Sequence, residues 1–173
     1  APDNPDSYIP LANAQAKAGL IDEAIDGYKQ CLAIQPSHKG AFSGLAHQLK
    51  TIGRQNEAIA TYRENIAQNP RNSDPYWNLA NMKTFRFEDS EVKAMEDLLS
   101  NSEIKDLGVA QLCNALGLEY EGRKDYQKAF QKLRMDVRVM QDDSELYKKL
   151  IMQGCMRFMR DLKKDELDEK FVN

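Results

Sequence analysis

Two histidines (His38, His47), three cysteines (Cys31, Cys113, Cys155) and acidic pairs such as Asp22/Glu23 and Asp142/Asp143 have side chains suited to chemistry. A structural zinc site takes four clustered nitrogen or sulfur ligands, and these cysteines are scattered with no CxxC pair among them. An odd set of distant thiols reads as buried cysteines in a reduced compartment, which points to the cytoplasm. A nucleophile needs a partnered base, yet His47 has no Asp, Ser or Cys signature near it and reads as a polar surface residue. The acidic pairs fall at expected helix starts, where carboxylates offset the positive end of the helix dipole. No catalytic residue, metal site or cofactor site emerges, and the expectation is a chain that is not an enzyme.

Partner classes narrow in the same way. A formal net charge of −3 provides no field to gather nucleic acid or an anionic membrane. No run of about 18 apolar residues reads as a span, and no basic-then-apolar leader opens at Ala1. With 29% charged and 42% hydrophobic residues but only nine glycines and six prolines, the chain suits amphipathic helices better than a sandwich or barrel.

The elements that position the remaining polar residues come from a repeat. Pro36 and Pro70 lie 34 residues apart, and at that offset Tyr8 falls on Phe42, Leu11 on Leu45, Ala12 on Ala46 and Gly19 on Gly53. Glu23, Ala24, Ile25 and Tyr28 fall likewise on Glu57, Ala58, Ile59 and Tyr62. Such a period means stacked helix pairs, since one pair cannot bury its apolar face alone. Tyr8, Leu11 and Ala12 form an i, i+3, i+4 stripe on a first helix. The four alanines let paired helices approach, the tyrosines cover the seam, and the glycines end the first helices. The prolines close the second helices.

This layout resembles the tetratricopeptide repeat, W-x2-L-G-x2-Y, then A-x3-F, then P. Tyr8, Leu11, Ala12, Ala24, Tyr28 and Pro36 carry the likeness, with Gln15 and Leu49 departing where an aromatic is usual. The resemblance implies an all-α, right-handed superhelix of antiparallel helix pairs. The array is expected over 5–140, as units 5–38, 39–72, 73–108 (degenerate) and 109–140, with a capping helix and tail over 142–173.

The third unit starts soundly with Tyr76, Leu79 and Ala80, then places Phe87 where Gly is expected and Glu96 where the seam aromatic belongs. A helix start at Asp89–Ser90 implies a hairpin with a different turn and a shifted register. Leu116, Gly117, Tyr120, Ala129 and Leu133 match the template again, and Cys113 lies 37 residues after Tyr76, so about three residues are gained near "SNSEIKD". Asp142 and Glu145 then resemble a capping box, ahead of a stripe of Tyr147, Ile151, Cys155, Phe158 and Leu162. Methionines 135, 140, 152, 156 and 159 concentrate here and read as an adaptable apolar surface, first as core, then as a self-association face or the seat of a further domain.

Over residues 70–135 the chain is also similar to bacterial tetratricopeptide-repeat sulfotransferases, through Trp77, Leu79, Ala80, Lys83, Thr84, Phe85, Arg86 and Phe87. That resemblance implies a sulfotransferase domain beyond Asn173, for no phosphate-cradling strand, loop and helix lies in these residues.

In the repeat family first helices line a concave surface where peptides commonly bind. Asn13, Lys17, His47, Lys50, Trp77 and Asn81 adjoin the buried stripe and would face that groove. Their amides could bond an extended peptide's backbone and their cations could meet carboxylates. Trp77 reads as core filler or groove anchor, and Lys83 and Arg86 as a basic edge or as stems lying over the next helix. The carboxylate clamp of chaperone-binding repeats fits Asn13 but not Ile9 or Trp77, which stand where cations are needed. Three readings follow: a scaffold binding a protein or peptide, a module positioning a sulfotransferase domain, and a homodimerisation platform.

Overall fold

The computed structural model describes residues 4–139, apart from 83, 101–103 and 105. Among them are a 3-10 turn at Pro5–Ser7 and eight α-helices: α1 (Tyr8–Lys17), α2 (Ile21–Ile34), α3 (Lys39–Thr51), α4 (Gln55–Gln68), α5 (Asp74–Ala80), α6 (Asp89–Leu99), α7 (Asp106–Gly122) and α8 (Tyr126–Val139). No strand occurs among the described residues. The expected capping helix over 142–173, its Asp142/Glu145 box, Cys155 and the methionines from 140 onward lie outside them, as does Lys83. The described residues fall into two compact bodies divided between Phe85 and Arg86.

In the first body consecutive helices pack on one another from α1 to α5. Ala12, Ala24, Ala46 and Ala58 are fully buried where the helices approach. A Cβ on Gly27 would come within 3.1 Å of the Ala12 Cβ, so the first pair tolerates little more bulk there. Tyr28 and Tyr62 are buried over the seams. Burying a large apolar side chain stabilises by about 1.5–3 kcal/mol, and these rings share the core with Ile25, Phe42, Leu45 and Leu49.

The joints repeat with the period. Gly19 (φ 81°) and Gly53 (φ 80°) adopt the left-handed conformation that ends a first helix. After each, an amide reaches back five residues, Leu20 N–H to Gln15 O and Arg54 N–H to Leu49 O, both at 2.9 Å. These are Schellman closures. Asn4, His38 and Asn72, also 34 apart, open the repeats by accepting backbone N–H groups from Asp6, Ala41 and Asp74. His38 accepts at Nδ1, while its Nε2 lies 3.0 Å from Asp6 Oδ1. Gln35, ahead of Pro36, turns extended (φ −129°, ψ 90°) and stops α2.

The expected register shift in the third repeat does not occur. α2, α4 and α6 begin at Ile21, Gln55 and Asp89, so the 34-residue step survives, and the next second helix, α8, begins 37 residues later at Tyr126. α7 begins 17 residues after α6, but α8 begins 20 after α7 against 16 from α3 to α4, so the extra length shows in the long helix α7. What changes is the turn: α5 is only seven residues long, and residues 81–88 replace a three-residue joint. The helix starts at Asp89, as the sequence implies, with Glu88 as its cap and the Glu88 N–H bonded to Glu91 Oε2 at 2.8 Å.

In the second body, side chains hold that turn. Phe87 is 4% exposed. Its N–H donates to Glu119 Oε2 at 3.1 Å, and its carbonyl accepts from Arg123 Nη2 at 2.9 Å. Arg123 Nε lies 2.7 Å from the buried Glu119 carboxylate, and Arg123 Nη1 also bonds Asp89. Where the first two repeats use a glycine, this one uses a buried aromatic whose peptide groups are satisfied by the buried Glu119 and the half-buried Arg123. The fourth repeat restores the Schellman closure, Asp125 N–H to Tyr120 O at 2.9 Å, with Lys124 (φ 63°) in the left-handed position rather than Gly122. Gly117 serves packing instead: a Cβ there would lie 2.9 Å from Leu133 Cδ2.

One stripe residue departs from expectation. Leu45 and Leu79 are 6% and 0% exposed, but Leu11 is 60% exposed. α3 packs between α2 and α4, whereas α1 packs chiefly on α2, with a smaller contact to α3.

Candidate functional site

The six polar residues read as groove-lining all belong to the first body. Asn13 and Lys17 sit four apart on α1, His47 and Lys50 three apart on α3, and Trp77 four before Asn81, which caps the end of α5. Spacings of three and four put each pair on one helix face. Asn13, His47 and Asn81 are themselves 34 apart, so they occupy one place in three successive repeats. Asn13, Lys17, His47 and Asn81 are exposed, and Lys50 and Trp77 are half-buried.

Asn13 is the best-anchored member. The Tyr28 hydroxyl donates to its Oδ1 at 2.6 Å. That bond occupies the amide oxygen and leaves Nδ2, a double donor, as the group Asn13 can offer. Burial pushes the Tyr28 phenol above its ordinary range, so it stays protonated and remains a donor. Gly44 makes the arrangement sterically feasible, because a Cβ there would fall 2.4 Å from the Tyr28 ring.

Further along the face the polar groups turn inward. Ser43 Oγ donates to Asp74 Oδ2 at 2.9 Å. Burial first, and the Asp74 charge second, push the Tyr62 phenol up to about 12. The Asn81 amide donates to the carbonyl of Trp77 at 2.7 Å, so part of its donor capacity serves its own helix. Beneath lies Asn65, fully buried and accepting from Asn69 Nδ2 at 3.0 Å, while its own Nδ2 has no partner. The face thus pairs cations at Lys17 and Lys50 with amide donors at Asn13, a chemistry of recognition rather than bond making. Among the described residues no three His, Cys, Asp or Glu cluster to hold a metal. Burial, and then the charge of Asp6, push the Cys31 thiol up, away from nucleophilic thiolate.

Sequence reasoning missed Tyr28 and Gly44 as supports of Asn13, and the Ser43–Asp74 bond. Gly44 stands at the place of Pro10 and Asn78 in the adjoining repeats, so no periodic signal marks it. The caps Asn4, His38 and Asn72 were missed too, although they share the repeat period, for histidine is not a usual capping residue.

No protein-family model matches the chain. It is 36% identical over 72 residues to the small glutamine-rich tetratricopeptide repeat-containing protein 2 of Mycosarcoma maydis, covering 40% of this chain and 20% of that protein. It is 28% identical over 131 residues to an uncharacterized protein of Aquifex aeolicus (strain VF5), covering 76% of this chain and 17% of that one. The chain spans about a fifth of the length of these curated relatives. Among solved structures, MamA superposes with a TM-score of 0.58 at 22% identity, over 80% of each chain. PilF of Pseudomonas aeruginosa gives 0.59 at 22% identity, over 80% of this chain and 62% of that one. A thermophilic TPR protein of Thermus thermophilus, TTC0263, gives 0.60 at 17% identity, over 94% of this chain and 83% of that one. At these identities the likeness establishes the fold, and the fold is all-α, built of tetratricopeptide-type helix pairs. No helix among the described residues is long and apolar enough to cross a membrane.

Proposed function

We propose, from the tetratricopeptide-repeat fold, that this chain is a non-catalytic scaffold binding an extended peptide or protein segment along the first-helix face of its first body. Asn13, Lys17, His47, Lys50, Trp77 and Asn81 line the site. The observation that carries the reading is the Tyr28–Asn13 bond. A buried phenol orients an exposed amide on the face where Lys17 adds positive charge. A peptide backbone carbonyl suits the Nδ2 donors, and an acidic side chain suits Lys17 and Lys50.

The test is selection from a displayed peptide library, followed by titration read through Trp77, the sole tryptophan. Binders of about micromolar strength are expected, weakened about tenfold by Asn13→Ala or Lys17→Glu, a loss of about 1.4 kcal/mol. Failure to select any binder, or binders indifferent to both changes, overturns the proposal.

A second reading rests on the likeness of residues 70–135 to tetratricopeptide-repeat sulfotransferases, in which the array positions a catalytic domain. It is favoured by the rebuilt turn around Phe85, Arg86 and Phe87, residues on which that likeness rests. The full gene sequence tests it, a downstream strand–loop–helix for phosphates being the required feature. Homodimerisation through the array is tested by light scattering across concentrations, a monomer throughout ruling it out.

A further inference from the structure

We propose that Asp74 and Trp77 of α5, with Ser43 of α3, form a subsite for a basic side chain of the bound peptide, arginine in preference to lysine. The assignment rests on the scaffold reading for its peptide and adds the charge that this peptide carries.

Asp74, Trp77 and Asn81 stand at i, i+3 and i+7 and so share one face of α5 and its cap. Pro75, Tyr76 and Leu79, on the other stripe, are buried. Asp74 and Trp77 are half-buried, so each keeps part of its surface for a ligand. Ser43 Oγ donates to Asp74 Oδ2 at 2.9 Å, which fixes the carboxylate and leaves Oδ1 to the ligand. Serine is a neutral partner, and among the described residues no cation pairs with Asp74. The charge reaches the Tyr62 phenol instead, which burial first and Asp74 second push up to about 12. The Trp77 ring also has no cation over it among the described residues, whereas Phe85 has Arg63 and Tyr120 has Lys128.

A half-buried carboxylate is incompletely hydrated and gains from an opposite charge nearby. An indole face attracts the same charge, more strongly than a phenol or phenyl ring does. A guanidinium suits both at once, being planar for stacking on the ring and forked for bonding the carboxylate. The combination occurs once in the first body. One period earlier the same places hold Gly40 and Ser43, and two periods earlier Asp6 and Ile9. Lys17 and Lys50 belong to those earlier repeats. The peptide therefore lies with acidic residues toward the first two repeats and its basic residue toward the third.

The probe is N-acetylarginine amide, titrated at constant ionic strength into the isotope-labelled full chain, with the indole N–H of Trp77, the sole tryptophan, as reporter. A saturable shift is expected there and at the Ser43 and Asp74 amides, half-complete on the order of 10 mM. The citrulline analogue, of the same shape without the charge, gives none. Asp74→Asn keeps an oxygen for Ser43 and weakens binding at least about fivefold, while Asp22→Asn, at an exposed acid of α2, leaves it unchanged. Trp77→Leu, followed at the Ser43 and Asp74 amides, removes the preference over N-acetyllysine amide. No saturable shift by about 100 mM, an equal response to citrulline, or indifference to Asp74→Asn overturns the proposal. Library-selected peptides that depend on Asn13 and Lys17, yet carry no basic residue and ignore Asp74→Asn, overturn it while the scaffold reading stands. An arginine response without any selected peptide supports the subsite and counts against the scaffold reading alone.

Discussion

Replacing Arg123 tests whether the third repeat's turn depends on neutralising a buried charge. The Glu119 side chain is 3% exposed and lies 2.7 Å from Arg123 Nε. Removing one member of a buried pair costs about 3–5 kcal/mol, because the other is left charged in a poor solvent. The Arg123 side chain is 34% exposed. Water reaching it reduces the expected loss for Arg123→Ala to about 2–3 kcal/mol. Glu119→Gln keeps the shape and an oxygen for the Phe87 amide, so it costs only about 1 kcal/mol. The double variant buries no charge. It is expected to be more stable than Arg123→Ala alone by about 1 kcal/mol, although it retains fewer of the native interactions. Urea unfolding followed by circular dichroism measures the order of the four proteins, and hydrogen exchange at the Phe87 amide localises the loss to the turn. If the double variant is the least stable of the four, the arginine is not there to neutralise Glu119 and the account of the turn fails.

Three further outcomes follow from the same contacts. Gly44→Ala drives a Cβ to 2.4 Å from the buried Tyr28 ring, and is expected to lower stability by about 2 kcal/mol and to weaken peptide binding with it. Gly117→Ala meets only the flexible end of Leu133 and costs less in the same urea titration. Lys124→Gly relieves a left-handed lysine and raises stability by about 0.5–1 kcal/mol in thermal melts, while Gly53→Ala, in the equivalent joint, loses a similar amount. The phenols of Tyr62 and Tyr120 are both pushed up to about 12, by burial first and then by the Asp74 charge for Tyr62 and the Glu96 hydrogen bond for Tyr120. Ultraviolet titration should therefore show two tyrosines ionising well after the rest. Their contribution to stability is complete below pH 10, where the unfolded phenols ionise, and is lost as pH rises from there through about 12. A decline that begins well below pH 10 would contradict it.

The periodic parts of the molecule were legible because each repeats its cause. Gly19 and Gly53 are left-handed for the same reason at the same offset, and Ala12, Ala24, Ala46 and Ala58 are buried by the same approach of helices. The aperiodic parts were not. Phe87 looks like a lost glycine until Glu119 and Arg123, more than 30 residues on, close on its peptide groups. Lys124 stands 37 residues after Phe87, at the joint of the fourth repeat, but its residue type gives no sign that it takes the left-handed place there. In the candidate site, the positions of the six residues beside the stripe were readable, but the Tyr28 bond that orients Asn13 was not, since it depends on the empty volume at Gly44.

The amino-acid order alone settled the helix pairs, their 34-residue step and their seam residues, because hydrophobic period, small-residue spacing and chain-breaking residues act locally along the chain. Tertiary structure decided how the third repeat turns, and that Leu11 is left open to water while Leu45 and Leu79 are buried. Those outcomes depend on which surfaces meet across the fold. A side chain's partner is set by packing in three dimensions, and the same leucine in the same register is core or surface according to whether a helix lies over it.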